Sequence, residues 1–115
     1  MQRGAIDLLA SHRIDAVHVP NGSHLAGGTV ARAKQMAALL RDGLRPGFPD
    51  LIVFGRHTGQ VGFLECKREG KTALHPVEDA EQVKWRARLE AAGFPWALVQ
   101  LPEDAIAAVR SWGWL

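Results

Sequence analysis

Residues 47–67 read Gly-Phe-Pro-Asp-Leu-Ile-Val-Phe-Gly-Arg-His-Thr-Gly-Gln-Val-Gly-Phe-Leu-Glu-Cys-Lys. Two apolar runs flank a polar connection. Asp50-Leu-Ile-Val-Phe54 is apolar after its first residue, which predicts a strand buried on both faces and central in its sheet. Gly55 to Gln60 has the composition of a hairpin connection, and Val61 to Lys67 reads as the returning strand. Side chains alternate along a strand, so Val61, Phe63, Glu65 and Lys67 share one face while Cys66 points to the other.

The flanking sequence is helical on both sides of this hairpin. Upstream, residues 3–11 form a short helix on Ile6, Leu8, Leu9 and Ala10, and Ala16-Val-His-Val19 is a strand stopped at Pro20. Asn21-Gly-Ser-His-Leu-Ala-Gly-Gly28 is a turn-rich loop. Thr29 can cap a helix over residues 30–42 that ends at Gly43, and Arg45-Pro-Gly47 is a second turn. Downstream, Pro76 opens a helix running to Ala92 and closed by Gly93. Pro95 to Gln100 is a strand, and residues 102–112 form a last helix. This α-β-α-β-β-α-β-α order predicts an α/β sandwich with a mixed central sheet flanked by helices.

At 115 residues the chain suits one domain over 1–115, with a radius of gyration of roughly 13 Å. Hydrophobic residues at 47% and charged residues at 23% suit a folded globular chain rather than a disordered one. No apolar stretch approaches the roughly 20 residues of a membrane helix, and no secretory signal is expected. A single cysteine, Cys66, excludes an internal disulfide, and no Cys/His group has zinc spacing. A reducing, cytoplasmic setting is the expectation.

Charge is unevenly spread. Residues 1–47 carry a net +3 and residues 48–115 a net −1. Solvated surface charge is the ordinary reading of such a balance. A basic half beside clustered carboxylates also suits a polyanionic substrate and a metal ion.

The hairpin can bring Asp50 beside Glu65. Two carboxylates at that distance repel unless a cation lies between them. Their hard oxygens favour Mg²⁺ or Mn²⁺, and the backbone carbonyl of Cys66 is a further candidate ligand. Such an ion binds phosphate oxygens and acidifies a bound water. Lys67, next along the same face, can orient that water or neutralise charge growing on phosphorus. An E-x-K triplet alone is common and is usually an ordinary surface pair. Its position at the end of a buried strand, facing Pro49-Asp50, gives it weight.

The arrangement Pro49-Asp50…Glu65-Cys66-Lys67 resembles the PD-(D/E)XK nuclease signature. The run from Gly43 onward is similar to the VRR-NUC branch. The matching pieces are Gly43-x-x-Pro-Gly-x-Pro-Asp-Leu51, Phe63-Leu-Glu-Cys-Lys67, His75-Pro…Gln82 and Leu89-Glu-Ala-Ala-Gly93. The resemblance covers about residues 15–113, and the chain is similar to stand-alone virus- and bacterium-type members. It implies a restriction-endonuclease-like sandwich and an Mg²⁺- or Mn²⁺-dependent DNA endonuclease. It further implies a homodimer selective for four-way junction or flap DNA, working in a bacterial or phage-infected cell. Asp50 and Glu65 would be the metal-binding carboxylates, Lys67 the catalytic lysine, and Gln82 a residue flanking the site. Members usually carry an acidic residue in the first helix. Here that helix offers only Gln2 and Asp7, neither at the expected place, which leaves open a DNA-binding module of the same fold with weakened or absent catalysis.

Arg32, Lys34, Arg45, Arg68 and Lys71 are the candidate phosphate contacts. Gln82, Trp85 and Leu89 fall on one helix face, so Gln82 either contacts the site or DNA, or is a plain surface glutamine. The five histidines show no i, i+4 pair. His18 is expected packed and hydrogen-bonded, and His75 stands where a helix cap belongs. The glycines around Asn21–Gly28 make a plain turn or cradle a DNA backbone. Trp96 is expected in the core, and Trp112 and Trp114 over the last helix or at an interface, rather than stacked on bases. Cys66 is expected to be an inert buried thiol.

Overall fold

The computed structural model describes residues 1–20 and 25–115. Among these, four helices and four strands follow the predicted order: α1 (Gln2–Ser11), β1 (Asp15–His18), α2 (Thr29–Arg41), β2 (Leu51–Phe54), β3 (Val61–Cys66), α3 (Ala80–Ala91), β4 (Trp96–Val99) and α4 (Pro102–Ser111). The sheet order is β1-β2-β3-β4. β1 and β3 run antiparallel to β2, whereas β4 runs parallel to β3. The sheet is therefore mixed. A parallel neighbour needs a crossover, and α3 supplies it.

Apolar side chains divide between the two faces. Leu51, Val53, Leu64 and Val99 pack with Ala5 and Leu9 of α1 and with Ala105, Ile106, Ala108 and Val109 of α4. Gly4 permits the close approach of these two helices, because a Cβ there would stand 2.9 Å from the Pro102 ring. On the other face, Phe63, Trp96 and Leu89 form a second cluster with Phe48, Ile52 and Trp85 around them. Four of the six residues of β3 are buried, as a strand covered by helices on both faces requires.

Several boundaries differ from expectation. α3 starts at Ala80, not Pro76. His75 Nδ1 accepts the backbone N–H groups of Val77 and Glu78, and Asp79 Oδ2 accepts that of His75 at 2.7 Å. These bonds close a separate turn over 76–79 before the helix begins. Thr29 is the first helical residue rather than the cap. Gly28 occupies the cap, with no side-chain bond. Asn21, Gly22, Ser23 and His24 of the expected loop lie outside the described residues.

The molecule measures 48 × 28 × 27 Å and its radius of gyration is 15.2 Å, above the roughly 13 Å of a compact chain this long. α2 contributes to that elongation, since none of its residues is buried. β1 ends and β2 begins at the same end of the sheet, where Asp50 lies. Trp114 is buried, and Trp112 and Leu115 pack against the core. Of the two residues expected over the last helix or at an interface, Trp114 is core and Trp112 is half-buried against it. Trp112 and Trp114 meet edge to face at 5.0 Å, and Trp112 covers β3 at Gly62, where any Cβ would collide with its ring.

Candidate active site

The β2–β3 register pairs Leu51 with Leu64. One step further puts Asp50 opposite Glu65, on the face that carries Ile52 and Phe63. Asp50 is fixed from both sides. Its carbonyl accepts the N–H of Val19 at 2.8 Å, and its Oδ2 accepts the N–H of Cys66 at 2.7 Å. Gly47 brings this segment against the start of α3. It has φ +82°, and a Cβ there would collide with the Glu81 and Gln82 backbone. Both facts demand glycine.

Glu65 is only 1% exposed. Burial pushes its carboxyl up to about 9, helped by its hydrogen bond to Asp50 and by the Asp50 charge, while Lys67 acts weakly in the other direction. Without a cation beside it, Glu65 therefore keeps its proton at neutral pH. Even so, Glu65 Oε1 is buried with no hydrogen-bond partner. A cation beside the pair would satisfy that oxygen and replace the proton.

Cys66 points to the opposite face, as alternation requires, and packs against the α1–α4 core. Burial, with the charges of Asp50 and Glu65, pushes its thiol up to about 12. It stays protonated and is neither a nucleophile nor a thiolate ligand. Only its backbone carbonyl remains a candidate ligand.

Lys67 lies just beyond β3 and donates its N–H to Val99. Its Nζ stands 3.7 Å from Asp79 Oδ1, and Lys71 Nζ is 2.8 Å from Asp79 Oδ2. Asp79 is the residue that sequence reasoning missed. The His75 N–H, then Lys71 and the lysine charges, hold its carboxyl down at about 2. It remains ionised and holds both lysines, of which Lys67 acts on Glu65. The readable signal was His75-Pro-x-x-Asp79 ahead of a helix, since Asp is a favoured cap residue.

Gln82 is half-buried, and its Oε1 is a second buried oxygen without a hydrogen-bond partner. It is not a plain surface glutamine. Of the candidate phosphate contacts, Arg45, Arg68 and Lys71 sit within a few residues of the site elements. Arg32 and Lys34 stand exposed on the first half of α2, along a helix of 13 residues, about 20 Å long. His18 is exposed rather than packed, because its strand lies at the sheet edge, and its ring bonds Gln2 at 2.7 Å. Gln2 is thereby engaged with His18, and Asp7 is exposed.

No family model, curated protein or solved structure matches this chain. The donor set must speak for itself. Among the described residues, no three His, Cys, Asp or Glu side chains gather into a metal-binding group. Two facing carboxylates and a nearby backbone carbonyl fit a hard cation that keeps part of its water shell, which is how Mg²⁺ is ordinarily bound. They do not fit a soft or tightly caged metal. No helix of the described residues is long and apolar enough to cross a membrane.

Proposed function

We propose that the chain is a metal-dependent DNA endonuclease of the PD-(D/E)XK type, with Asp50 and Glu65 holding Mg²⁺ or Mn²⁺ and Lys67 assisting hydrolysis. The observation that carries this reading is the buried Glu65, facing Asp50 with one oxygen unpartnered. A buried Glu65 with an unpartnered oxygen costs stability, so its place at a strand end facing Asp50 supports a cation there. The ion would be held by Asp50, Glu65 and the Cys66 carbonyl, and would supply Lewis-acid activation of water and phosphate. Asp50 is kept in place by the Cys66 and Val19 amides. Lys67 brings a positive charge to the edge of the pair, where negative charge on the phosphate would grow. Asp79, 3.7 Å away, pairs with that ammonium. Arg45, Arg68 and Lys71 would hold the DNA backbone on either side.

A restriction-endonuclease-like sandwich is the finer fold reading, supported by the mixed four-stranded sheet between α3 and the α1–α4 pair. A two-fold homodimer acting on four-way junction or flap DNA belongs to the same reading, since paired incisions need two related sites. The second reading, a DNA-binding module that does not cut, is favoured by one observation. Gln2 and Asp7 supply no third carboxylate at the site.

Calorimetry with Mn²⁺, and cleavage of linear, flapped and four-way DNA with Mg²⁺, Mn²⁺ or EDTA, test both readings. Metal binding that weakens in Asp50→Asn and Glu65→Gln, with cleavage lost in each, supports the enzyme. Unchanged metal binding in both variants removes the site. Junction binding without cleavage under either metal promotes the binding module. Light scattering at micromolar concentration reads the oligomeric state.

A further inference from the structure

At the end of the sheet remote from the carboxylates, Arg13, Arg56 and His57 line a cleft of about 440 Å³ with no carboxylate in its wall. The outermost pair of the β1–β2 ladder is Asp15 with Phe54, and Arg13 and Arg56 each lie two residues outside it. Asp50 adjoins the other end of the ladder, so the cleft stands at most about 20 Å from it along extended chain. Arg56 is positioned by its Nη2, which donates to the Trp114 carbonyl at 3.3 Å. His57 sits in a connection closed by Gly55, whose N–H meets the Gln60 carbonyl at 2.8 Å. Among the described residues, the Arg13 and His57 side chains have no hydrogen-bond or ion-pair partner.

Arg13 holds its place against its backbone preference. All four helices end in the same way, with an N–H just past the helix bonded to the carbonyl five residues back: Ile14 to Leu9, Leu44 to Leu39, Phe94 to Leu89 and Trp114 to Val109. The residue before each of these N–H donors takes a positive φ. After α2, α3 and α4 it is glycine, Gly43 at +103°, Gly93 at +90° and Gly113 at +81°; after α1 it is Arg13 at +62°. A side chain is disfavoured in that conformation. Arg13 is exposed, so no packing explains why glycine is not used a fourth time. An unfavourable backbone kept for an unpartnered surface cation points to a role outside the fold.

The charge selects the occupant. Two guanidiniums facing one space repel each other, and an anion between them removes that repulsion. Their forked N–H groups match phosphate oxygens, and the His57 ring offers a further N–H. A free phosphate held only by exposed side chains gains little. A phosphate carried on a polyanion adds this contact to others along the same chain, such as those offered by Arg45, Arg68 and Lys71. We propose that the cleft binds a backbone phosphate of DNA, away from the phosphodiester to be cut. The inference rests on the reading of the chain as DNA-acting and gives that substrate a second point of attachment, independent of base sequence.

The test is fluorescence anisotropy in EDTA with labelled four-way junction DNA over a series of salt concentrations, beside thermal melts. Arg13→Gly should weaken binding about 3- to 10-fold and lower the slope of log affinity against log salt by about one. The same variant should raise Tm by about 2–4 °C, because glycine suits the positive φ. Arg56→Gln should show the same loss of affinity and slope, with circular dichroism reporting its fold. Unchanged affinity and slope in Arg13→Gly overturns the assignment, and so does a fall in its Tm, since the arginine would then serve the fold. Inorganic phosphate and poly-glutamate are the comparison probes; an effect of Arg13→Gly on either of them with DNA binding unchanged overturns the assignment to nucleic acid. Cleavage by the unaltered chain with Mn²⁺ is scored separately. Cutting, with variant affinity unchanged, leaves the nuclease and removes the cleft; the loss of affinity and slope without cutting keeps the cleft and removes the nuclease.

Discussion

Replacing Glu65 by Gln should change how stability depends on pH. The carboxyl moves from its ordinary 4.5 to about 9 on folding. Between those values the folded chain retains a proton that the unfolded chain has released. The stability linked to this proton is complete below pH 4.5 and is lost as pH rises toward 9. Each pH unit costs at most about 1.4 kcal/mol. From pH 5 to 7 the ceiling is about 2.7 kcal/mol, and water reaching the half-buried Asp50 and Lys67 lowers it to about 2 kcal/mol. In a domain of this size each kcal/mol moves Tm by about 4 °C, so the loss amounts to about 8 °C. Glu65→Gln keeps the side-chain shape and has no such equilibrium. Its Tm should therefore fall by about 8 °C less than that of the unaltered chain over the same range. Thermal melts in EDTA across pH 5 to 8 measure both curves. Added Mn²⁺ should raise Tm at neutral pH in the unaltered chain and much less in Glu65→Gln, because the cation takes the proton's place. Parallel pH curves for the two proteins in EDTA would refute the reasoning, since Glu65 would then be ionised in the folded chain.

Lys67→Ala should keep metal and DNA affinity but turn over about 10²–10³ times more slowly in single-turnover cleavage, as loss of one preorganised charge does. Asp79→Asn frees Lys67 and Lys71, and turnover should drop about tenfold with little change in KM. Its stability deficit should be present above pH 3.8 and close as pH falls through about 2, because the carboxyl it replaces is held ionised to that point; acid titration followed by circular dichroism checks this. Gly62→Ala drives a methyl group into the Trp112 ring and should cost about 1–3 kcal/mol in urea unfolding, with no effect on Mn²⁺ binding.

The sequence alone determined the order of elements and the face each strand residue takes. Both follow from local rules: the period of two along Val61–Lys67, the breaks at Gly55 and Gly93, and the apolar run at Leu51–Phe54. Those rules also located Asp50, Glu65 and Lys67 on one face, because a two-residue period leaves no choice once the hairpin is read. What lay beyond them was set by contacts between distant segments. The parallel pairing of β4 with β3 depends on where α3 carries the chain. The start of α3 at Ala80 depends on His75 and Asp79 exchanging bonds around Pro76. The Asp79 tether on Lys67 is a long-range ion pair that no periodicity announces. The burial of Trp114 and the packing of Trp112 on Gly62 need the end of α4 to meet the start of β3, a long-range contact that no local pattern announces. The chemistry of Glu65 divides the same way. Its place on the strand is a local property, but its retained proton comes from the helices and strands that close over it and take water away.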